Sequence, residues 1–125
     1  MAERIVHIVD DDGPVRESLR WLLASVGLEA RVYDTPLDFL AETDGRPQGC
    51  VLLDIRMPGI GGVAVLKSLA RQGMTAPVIV MTGDSGHVGA AQVRRLGAVD
   101  FIEKPFDAER LLAAIESALA EPAVA

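Results

Sequence analysis

The sequence predicts a single-domain α/β protein built around a parallel β-sheet. One observation supports the fold class and two support the single domain. Short runs rich in β-branched residues alternate with segments whose apolar residues recur at helical spacing. Half of the 125 residues are hydrophobic, which is enough to fill the core of one compact domain. The chain shows no repeat and no linker long enough to separate two domains. We therefore expect a single domain over residues 1–125.

Five short apolar runs are predicted strands, each bounded by turn residues or by a helical segment. A parallel sheet covered by helices buries both faces of its strands, so we expect all five to be buried. The predicted strands span residues 5–9, 29–33, 50–53, 78–81 and 99–102.

Capping and stop residues delimit the predicted helices. Asp12 and Pro14 begin the first helix, and Gly27 ends it. Thr35 is the expected N-cap of the second helix and Asp107 that of the last. The helices are predicted at about residues 14–26, 36–43, 63–71, 88–96 and 108–119. The fourth is the weakest, because it is short and Gly86 and Gly89 lower the stability of its N-terminal end.

This alternation predicts a three-layer, flavodoxin-like (βα)5 fold with a doubly wound parallel sheet. Right-handed crossovers place helices on both faces, and the strand order 2-1-3-4-5 is the natural expectation. In such sheets, ligands bind beyond the carboxyl ends of the strands, where strands 1 and 3 lie side by side. Functional residues should therefore follow directly after strands.

Composition argues against several classes of function. A formal net charge of −6 disfavours direct nucleic-acid binding, since phosphate contacts need clustered cations. We interpret Arg16 with Arg20, and Arg94 with Arg95, as parts of solvated helix faces. No apolar stretch approaches the roughly 20 residues that span a bilayer, so no membrane partner is expected. The single Cys50 is typical of a reducing, cytoplasmic setting, and we expect it to be a small buried hydrophobe.

Polar residues follow four of the five predicted strands. They are Asp10, Asp11 and Asp12 after strand 1, Asp54 after strand 3, Thr82 after strand 4 and Lys104 after strand 5. Singly, each has an ordinary explanation, because an aspartate after a strand usually caps a helix or closes a turn. Asp12 is expected to be such a cap. Their joint occurrence at one edge of the sheet favours a functional site.

The residue types at this edge are those that phosphoryl transfer requires. Converging carboxylates repel one another unless a cation lies between them, and Mg²⁺ takes oxygen ligands; Mn²⁺ can substitute for it. Asp54 can be the nucleophile, with Mg²⁺ on Asp10 and Asp11 neutralising one side of the moving group. Lys104 neutralises another side, and Thr82 donates a hydrogen bond.

The segments around these residues resemble the receiver domains of two-component response regulators. The motifs are Val-Asp-Asp-Asp at strand 1, Leu-Leu-Asp-Ile-Arg-Met-Pro-Gly around Asp54, Val-Met-Thr-Gly at Thr82 and Asp-Phe-Ile-Glu-Lys-Pro-Phe around Lys104. The resemblance runs from about residue 4 to residue 119. The Arg-Met-Pro segment and the ending Gly-Ala-Val-Asp-Phe-Ile-Glu-Lys-Pro-Phe are most similar to the FixJ-type subgroup.

The resemblance implies a phosphoacceptor signalling domain and not an enzyme. A sensor histidine kinase or a phosphotransfer protein would donate the phosphoryl group to Asp54. It further implies that Asp11 and Asp54 bind Mg²⁺ directly, with Asp10 close by and the backbone carbonyl of Arg56 completing the ligands.

The resemblance also implies a conformational switch. Phe101 corresponds to the family's switch aromatic, which turns inward when Thr82 is drawn to the phosphoryl group. The helix 4 and strand 5 face would then change its affinity for a second copy or another partner. FixJ-type receivers are commonly followed by a DNA-binding output domain that is not present in these 125 residues. The chain is thus either a single-domain regulator or part of a longer one.

Two smaller hypotheses concern residues near the site. Arg56 and Asp84 lie two residues beyond Asp54 and Thr82, so they could pair over the phosphoryl group and shield it from water. Trp21 lies about 120° from the apolar stripe of helix 1, where it either packs over a neighbouring surface or borders a kinase docking surface.

Other functions stay open at this point. A phosphorelay intermediate would use the same residues but only pass the phosphoryl group onward. A phosphohydrolase of the haloacid dehalogenase type also uses Asp, Thr, Lys and Mg²⁺, but its nucleophile ends strand 1 and this chain has no cap segment. Flavin binding is disfavoured because the first loop is acidic where a phosphate would need backbone amides.

Overall fold

Five strands and five helices alternate along the chain in the computed structural model, which describes residues 4–43, 48–54, 62–71, 73, 76–83 and 90–120. The strands are β1 (Ile5–Val9), β2 (Glu29–Tyr33), β3 (Cys50–Asp54), β4 (Val78–Thr82) and β5 (Asp100–Glu103). The helices are α1 (Gly13–Ser25), α2 (Pro36–Thr43), α3 (Gly62–Arg71), α4 (Ala90–Arg95) and α5 (Ala108–Ala120).

All strands pair in parallel, in the order β2-β1-β3-β4-β5. The predicted fold class and strand order are therefore confirmed. Three strand boundaries differ slightly from the prediction, since β3 includes Asp54, β4 includes Thr82, and β5 lies one residue further along the chain. The functional candidates Asp54 and Thr82 are thus the last residues of their strands, with backbones held by the sheet.

Alternate residues of each central strand point into two separate apolar cores, one on each side of the sheet. Ile8 and Leu52 pack with residues of α1 and α5. Val9 and Leu53 pack with residues of α2, α3 and α4. Each such buried side chain contributes about 1.5–3 kcal/mol through removal of apolar surface from water. The central strands β1, β3 and β4 are held from both faces, and this fixes the position of their carboxyl ends.

The prediction that every strand is buried is wrong for β2, and in β5 it holds for one residue of four, Ile102. Glu29 and Arg31 are exposed and form an ion pair with each other at 2.7 Å. The strand lies at the edge of the sheet, where one row of its side chains faces solvent. Charged side chains on an edge strand also discourage pairing with another sheet.

The predicted caps are observed at the starts of three helices. The side chain of Asp12 accepts a hydrogen bond from the Val15 N–H at 3.2 Å. Thr35 and Asp107 accept equivalent bonds from Asp38 and Arg110. Each cap satisfies a backbone donor that the helix itself leaves unpaired, which is typically worth about 1 kcal/mol.

Gly49 sets the entry into β3. Its φ of 85° lies in the left-handed region, and a Cβ there would collide with the backbone carbonyl of Ile5. Only glycine allows this close approach of the chain to β1. The register that pairs Val9 with Leu53, next to Asp54, begins at this contact.

Candidate functional site

The predicted site residues meet at one edge of the sheet. Asp10 follows β1, Asp54 ends β3 and Thr82 ends β4, while Lys104 follows β5. Because β1 and β3 are neighbours, Asp10 and Asp54 lie side by side, as the strand order requires.

Three carboxylates converge there. One carboxylate oxygen from each of Asp10, Asp11 and Asp54 lies within 4.8 Å of the others. Asp10 is fully buried and Asp54 is 5% exposed, whereas Asp11 faces solvent. Hard divalent cations favour this set of oxygen ligands with one open side, so the residues fit a Mg²⁺ or Mn²⁺ ion.

Lys104 provides positive charge between two of these carboxylates. Its ammonium Nζ donates to Oδ2 of Asp10 at 2.6 Å and to Oδ2 of Asp54 at 3.2 Å. Burial disfavours the charged form of Lys104, but its hydrogen bond to Asp10 and the charges of both aspartates outweigh this effect and raise the pKa of Lys104. We call Asp10, Asp54 and Lys104 the acceptor cluster.

Asp10 has a hydrogen bond on each of its three oxygens. Oδ1 accepts from the Asp12 N–H at 2.9 Å, and Oδ2 accepts from Lys104. Its main-chain carbonyl accepts from the Arg16 guanidinium at 2.7 Å. The carboxylate therefore has one orientation, and it aims one oxygen at the side chain that also touches Asp54.

Thr82 is joined to Lys104 through the backbone. The Lys104 N–H donates to the Thr82 carbonyl at 2.7 Å, so the residue after β5 extends the sheet to the end of β4. Thr82 is fully buried. The two side chains predicted to contact the phosphoryl group thus belong to adjacent, hydrogen-bonded strand ends.

The comparison with known proteins identifies the family. The response regulator receiver domain family matches residues 6–116. The chain belongs to this family. It is 43% identical over 120 residues to the transcriptional regulatory protein FixJ of Bradyrhizobium diazoefficiens, covering 94% of this chain and 58% of that protein.

Other relatives agree with this assignment. The transcriptional regulatory protein TdiR of Thauera aromatica is 37% identical over 115 residues, which cover 92% of this chain and 51% of TdiR. The crystal structure of FixJ-N superposes on this chain with a TM-score of 0.88. The two sequences are 37% identical, and the superposition covers 100% of each chain. The chain spans a little over half the length of these two curated relatives, and the predicted FixJ-like resemblance is confirmed.

Phe101 of this receiver domain lies in β5, opposite Val80 of β4. It is partly buried and packs against the core on the α2, α3 and α4 side of the sheet. It lies two residues before Glu103, which pairs with Thr82. Phe101 is therefore placed on the strand next to Thr82, although its role as a switch stays a prediction.

Beside Phe101, Asp100 forms a second cluster of charges at the surface. Arg110 of α5 contacts it with both terminal nitrogens, at 2.9 and 3.1 Å, and Arg94 of α4 contacts it at 3.3 Å. The hydrogen bonds from Arg110 lower the pKa of Asp100 more than its partial burial raises it. We call Asp100, Arg94 and Arg110 the arginine cluster; it joins α4, β5 and α5.

One arginine was assigned incorrectly from the sequence. Arg16 is partly buried and bonds to the loop after β1, so it is not simply part of a solvated helix face. Arg20 and Arg94 match the prediction, as exposed residues that form surface ion pairs with Glu17 at 3.4 Å and with Asp100 at 3.3 Å. Local spacing along α1 contains no signal for a side chain that reaches back to the preceding loop.

Three predicted features fall partly or wholly outside the residues that the structure describes. Arg56, as a backbone ligand, and Asp84, as its partner over the phosphoryl site, lie there, as does the first part of predicted helix 4. In the described part of the chain, no helix is both long and apolar enough to cross a membrane.

His7 and Cys50 have structural environments. The His7 Nε2–H donates to the Gln48 carbonyl at 2.8 Å, which leaves Nδ1 to accept from the Tyr33 hydroxyl at 2.9 Å. Burial lowers the pKa of His7 more than the Gln48 bond raises it, so the neutral ring is favoured. Burial raises the pKa of the Cys50 thiol to about 12, as expected for an inert buried cysteine.

Proposed function

We propose that this receiver domain, taken as residues 1–125, accepts a phosphoryl group on Asp54 from the phosphohistidine of a sensor histidine kinase or phosphotransfer protein. The bond between phosphorus and the histidine nitrogen breaks as a bond forms to a carboxylate oxygen of Asp54. The observation that carries the proposal is a buried carboxylate facing an ammonium and two further carboxylates, where β1 and β3 end. A cytoplasmic location belongs to the same proposal.

A divalent cation, Mg²⁺ or Mn²⁺, would be held by Asp11 and Asp54. Both carboxylate oxygens of Asp10 already accept hydrogen bonds, from Asp12 and Lys104. Asp10 would therefore lie close to the ion without being one of its two main ligands. When bound, the cation supplies positive charge for the phosphoryl oxygens. The carbonyl of Arg56 stays a predicted further ligand.

Lys104 and Thr82 would act on the transferred group directly. The ammonium of Lys104 is within 3.2 Å of the acceptor carboxylate, so it can neutralise charge that arrives on Asp54. Thr82 can donate its hydroxyl hydrogen to a phosphoryl oxygen, which would shift the end of β4. Such a shift would be transmitted to Phe101 on the adjacent strand, because Val80 and Phe101 are paired.

The proposed output is a change at the α4 and β5 face. The arginine cluster lies on this face, and its ion pairs are exposed enough to be exchanged for those of a partner or a second copy. Phosphorylation would bias the face between two arrangements, as a ligand biases any two-state element. Regulation of an output domain is part of this proposal, and the relative FixJ bears the name of a transcriptional regulatory protein.

Phosphorylation can be tested with acetyl phosphate and MgCl₂. We expect the intact mass of the parent protein to rise by one phosphoryl group, and hydroxylamine to remove it. Asp54→Asn should abolish the modification, whereas Asp38→Asn, at an exposed position on α2, should not. Modification of Asp54→Asn to the parental extent would overturn the assignment of the acceptor.

The output can be tested by sedimentation velocity with and without acetyl phosphate. We expect phosphorylation to increase the sedimentation coefficient of the parent, and Thr82→Ala to be phosphorylated without that change. Rapid return of the phosphoryl group to a phosphotransfer protein, with no change in association, would favour the relay function instead. Turnover of phosphate esters would favour a hydrolase.

The predicted shielding pair needs its own test. If Arg56 and Asp84 cover the phosphoryl group, Asp84→Ala should shorten the lifetime of the phosphorylated protein by exposing the acyl phosphate to water. Dephosphorylation of Asp84→Ala at the parental rate would remove this part of the proposal.

A further inference from the structure

Arg16 connects α1 to the acidic loop. Its guanidinium Nη1 donates to the main-chain carbonyl of Asp10 at 2.7 Å, and its own N–H donates to the carbonyl of Asp12 at 3.0 Å. The side chain is partly buried, unlike that of Arg20 one turn later. The family match does not assign a role to this residue.

The contact controls the backbone on one side of Asp11. The carbonyl of Asp10 belongs to the rigid peptide plane that also contains the nitrogen and Cα of Asp11. Holding that oxygen therefore holds the plane. The plane on the other side of Asp11 ends at the Asp12 N–H, which is held by Oδ1 of Asp10 at 2.9 Å.

Both peptide planes that flank Asp11 are thus fixed, and with them its φ and ψ. Asp11 is the exposed member of the acidic group, so little packing around its side chain can orient it. Its backbone must supply the orientation. We propose that Arg16 is a positioning residue that aims the Asp11 carboxylate toward the divalent cation.

This inference rests on the proposed metal site. It predicts that removal of Arg16 changes the affinity for a divalent cation in the direction opposite to that expected from charge alone. A guanidinium near three carboxylates repels a divalent cation, so its removal should strengthen binding if charge alone matters. If Arg16 positions Asp11, its removal should weaken binding, as loss of an outer partner of a metal ligand commonly does. The sign of the change separates the two roles.

The test uses isothermal titration calorimetry of the unphosphorylated protein with MnCl₂ and MgCl₂. We expect Arg16→Met to weaken binding about tenfold. Arg20→Met removes the same charge from the same helix and should change binding less than twofold, as expected for a screened surface charge. Arg16→Lys keeps the charge and one donor, so it should recover part of the loss.

Folding and the metal site have separate controls. Circular dichroism melts identify any variant that does not fold, and Arg16→Lys then carries the comparison with Arg20→Met. Amide exchange at Asp12 should be faster in either Arg16 variant and unchanged in Arg20→Met. If Arg16→Met binds Mn²⁺ as tightly as the parent or more tightly, the positioning role is wrong. If Asp11→Asn binds Mn²⁺ like the parent, the proposed metal site itself is wrong.

Discussion

The acceptor cluster and the arginine cluster are both built from ion pairs of aspartates, but they lie at different depths. In the first, Lys104 contacts both Asp10 and Asp54; in the second, Arg94 and Arg110 both contact Asp100. Lys104 is 18% exposed and Asp10 is fully buried, whereas the side chains of Arg94 and Arg110 are about half exposed. Water can replace the contacts of the second cluster at small cost, but not those of the first.

This difference matches the demands of the two proposed tasks. Chemistry at Asp54 needs charges that stay in place, since a shifted nucleophile or ammonium loses alignment with the moving group. A surface that changes partners needs contacts whose loss costs little. Depth below the surface, rather than the identity of the ion pairs, separates the proposed acceptor site from the proposed output face.

Replacement of Lys104 should have the largest effect on stability. Lys104→Met leaves two adjacent buried carboxylates without their counter-charge, so we expect the free energy of unfolding in EDTA to fall by about 3 kcal/mol. Saturating MgCl₂ should restore much of this loss, because the cation takes over the neutralisation. Urea unfolding with and without Mg²⁺ measures both values; equal stability of variant and parent in EDTA would contradict the account.

The second-largest effect on the free energy of unfolding is expected at His7, a buried group that is neutral and not charged. Its pKa is lowered in the folded protein, so below a pH of about 6.5 the unfolded chain takes up a proton that the folded chain does not. The free energy of unfolding should therefore be highest above that pH. It should fall as the pH drops below it, by at most about 1.4 kcal/mol per pH unit.

Urea unfolding at several pH values, in parent and His7→Gln, measures the contribution of His7. The difference between the two proteins should shrink as the pH falls below about 6.5. A difference that stays constant with pH would show that His7 does not favour the neutral form. Tyr33→Phe, which removes the hydroxyl donor to Nδ1, serves as the matched structural variant.

Substitution in the arginine cluster should lower the free energy of unfolding by less, and the loss should depend on salt and pH. Arg110→Ala should lower the free energy of unfolding by no more than about 1 kcal/mol, and by less in about 1 M NaCl, where surface charges are screened. Because the pKa of Asp100 is lowered by folding, the contribution is complete above its ordinary value of 3.8 and is lost as the pH falls below it. The exposed Arg95→Ala is the matched control. If Arg110→Ala lost more free energy of unfolding than Lys104→Met, and if that loss did not depend on salt, the exposed cluster would contribute more to stability than the buried one.

The smallest effect on stability is expected at Trp21. This side chain is 76% exposed, so the interpretation that it packs over a neighbouring surface is wrong. Trp21→Ala should change stability by less than about 0.5 kcal/mol and leave phosphorylation by acetyl phosphate unchanged. Slower transfer from a histidine kinase that phosphorylates the parent would support a docking role. Equal transfer rates in variant and parent would remove that role.

The fold was largely predictable because its determinants are local. Caps at Asp12, Thr35 and Asp107 and glycine stops act within one turn of the chain, and the strand order follows from general rules of handedness. The burial of β2 was predicted incorrectly, although the predicted strand order already placed β2 at an edge of the sheet and the charged Glu29 and Arg31 alternate along it.

The site was predictable as a set of residues but not as a set of contacts. Asp10, Asp54, Thr82 and Lys104 each follow a strand, so their convergence could be predicted from topology. The contact of Arg16 with Asp10 could not, because a flexible arginine can reach many acceptors and its choice depends on the path of the loop. For the same reason, the ion pairs of Asp100 with Arg94 of α4 and Arg110 of α5 could not be predicted from the sequence.

The bond from the Lys104 N–H to the Thr82 carbonyl has a consequence for protein engineering. A designer who transplants the proposed phosphoacceptor site into another scaffold cannot graft Thr82 and Lys104 as independent side chains. The ends of β4 and β5 have to be moved together, as one paired unit with its register. An insertion between Glu103 and Lys104 would separate the two groups even if every side chain of the site were retained.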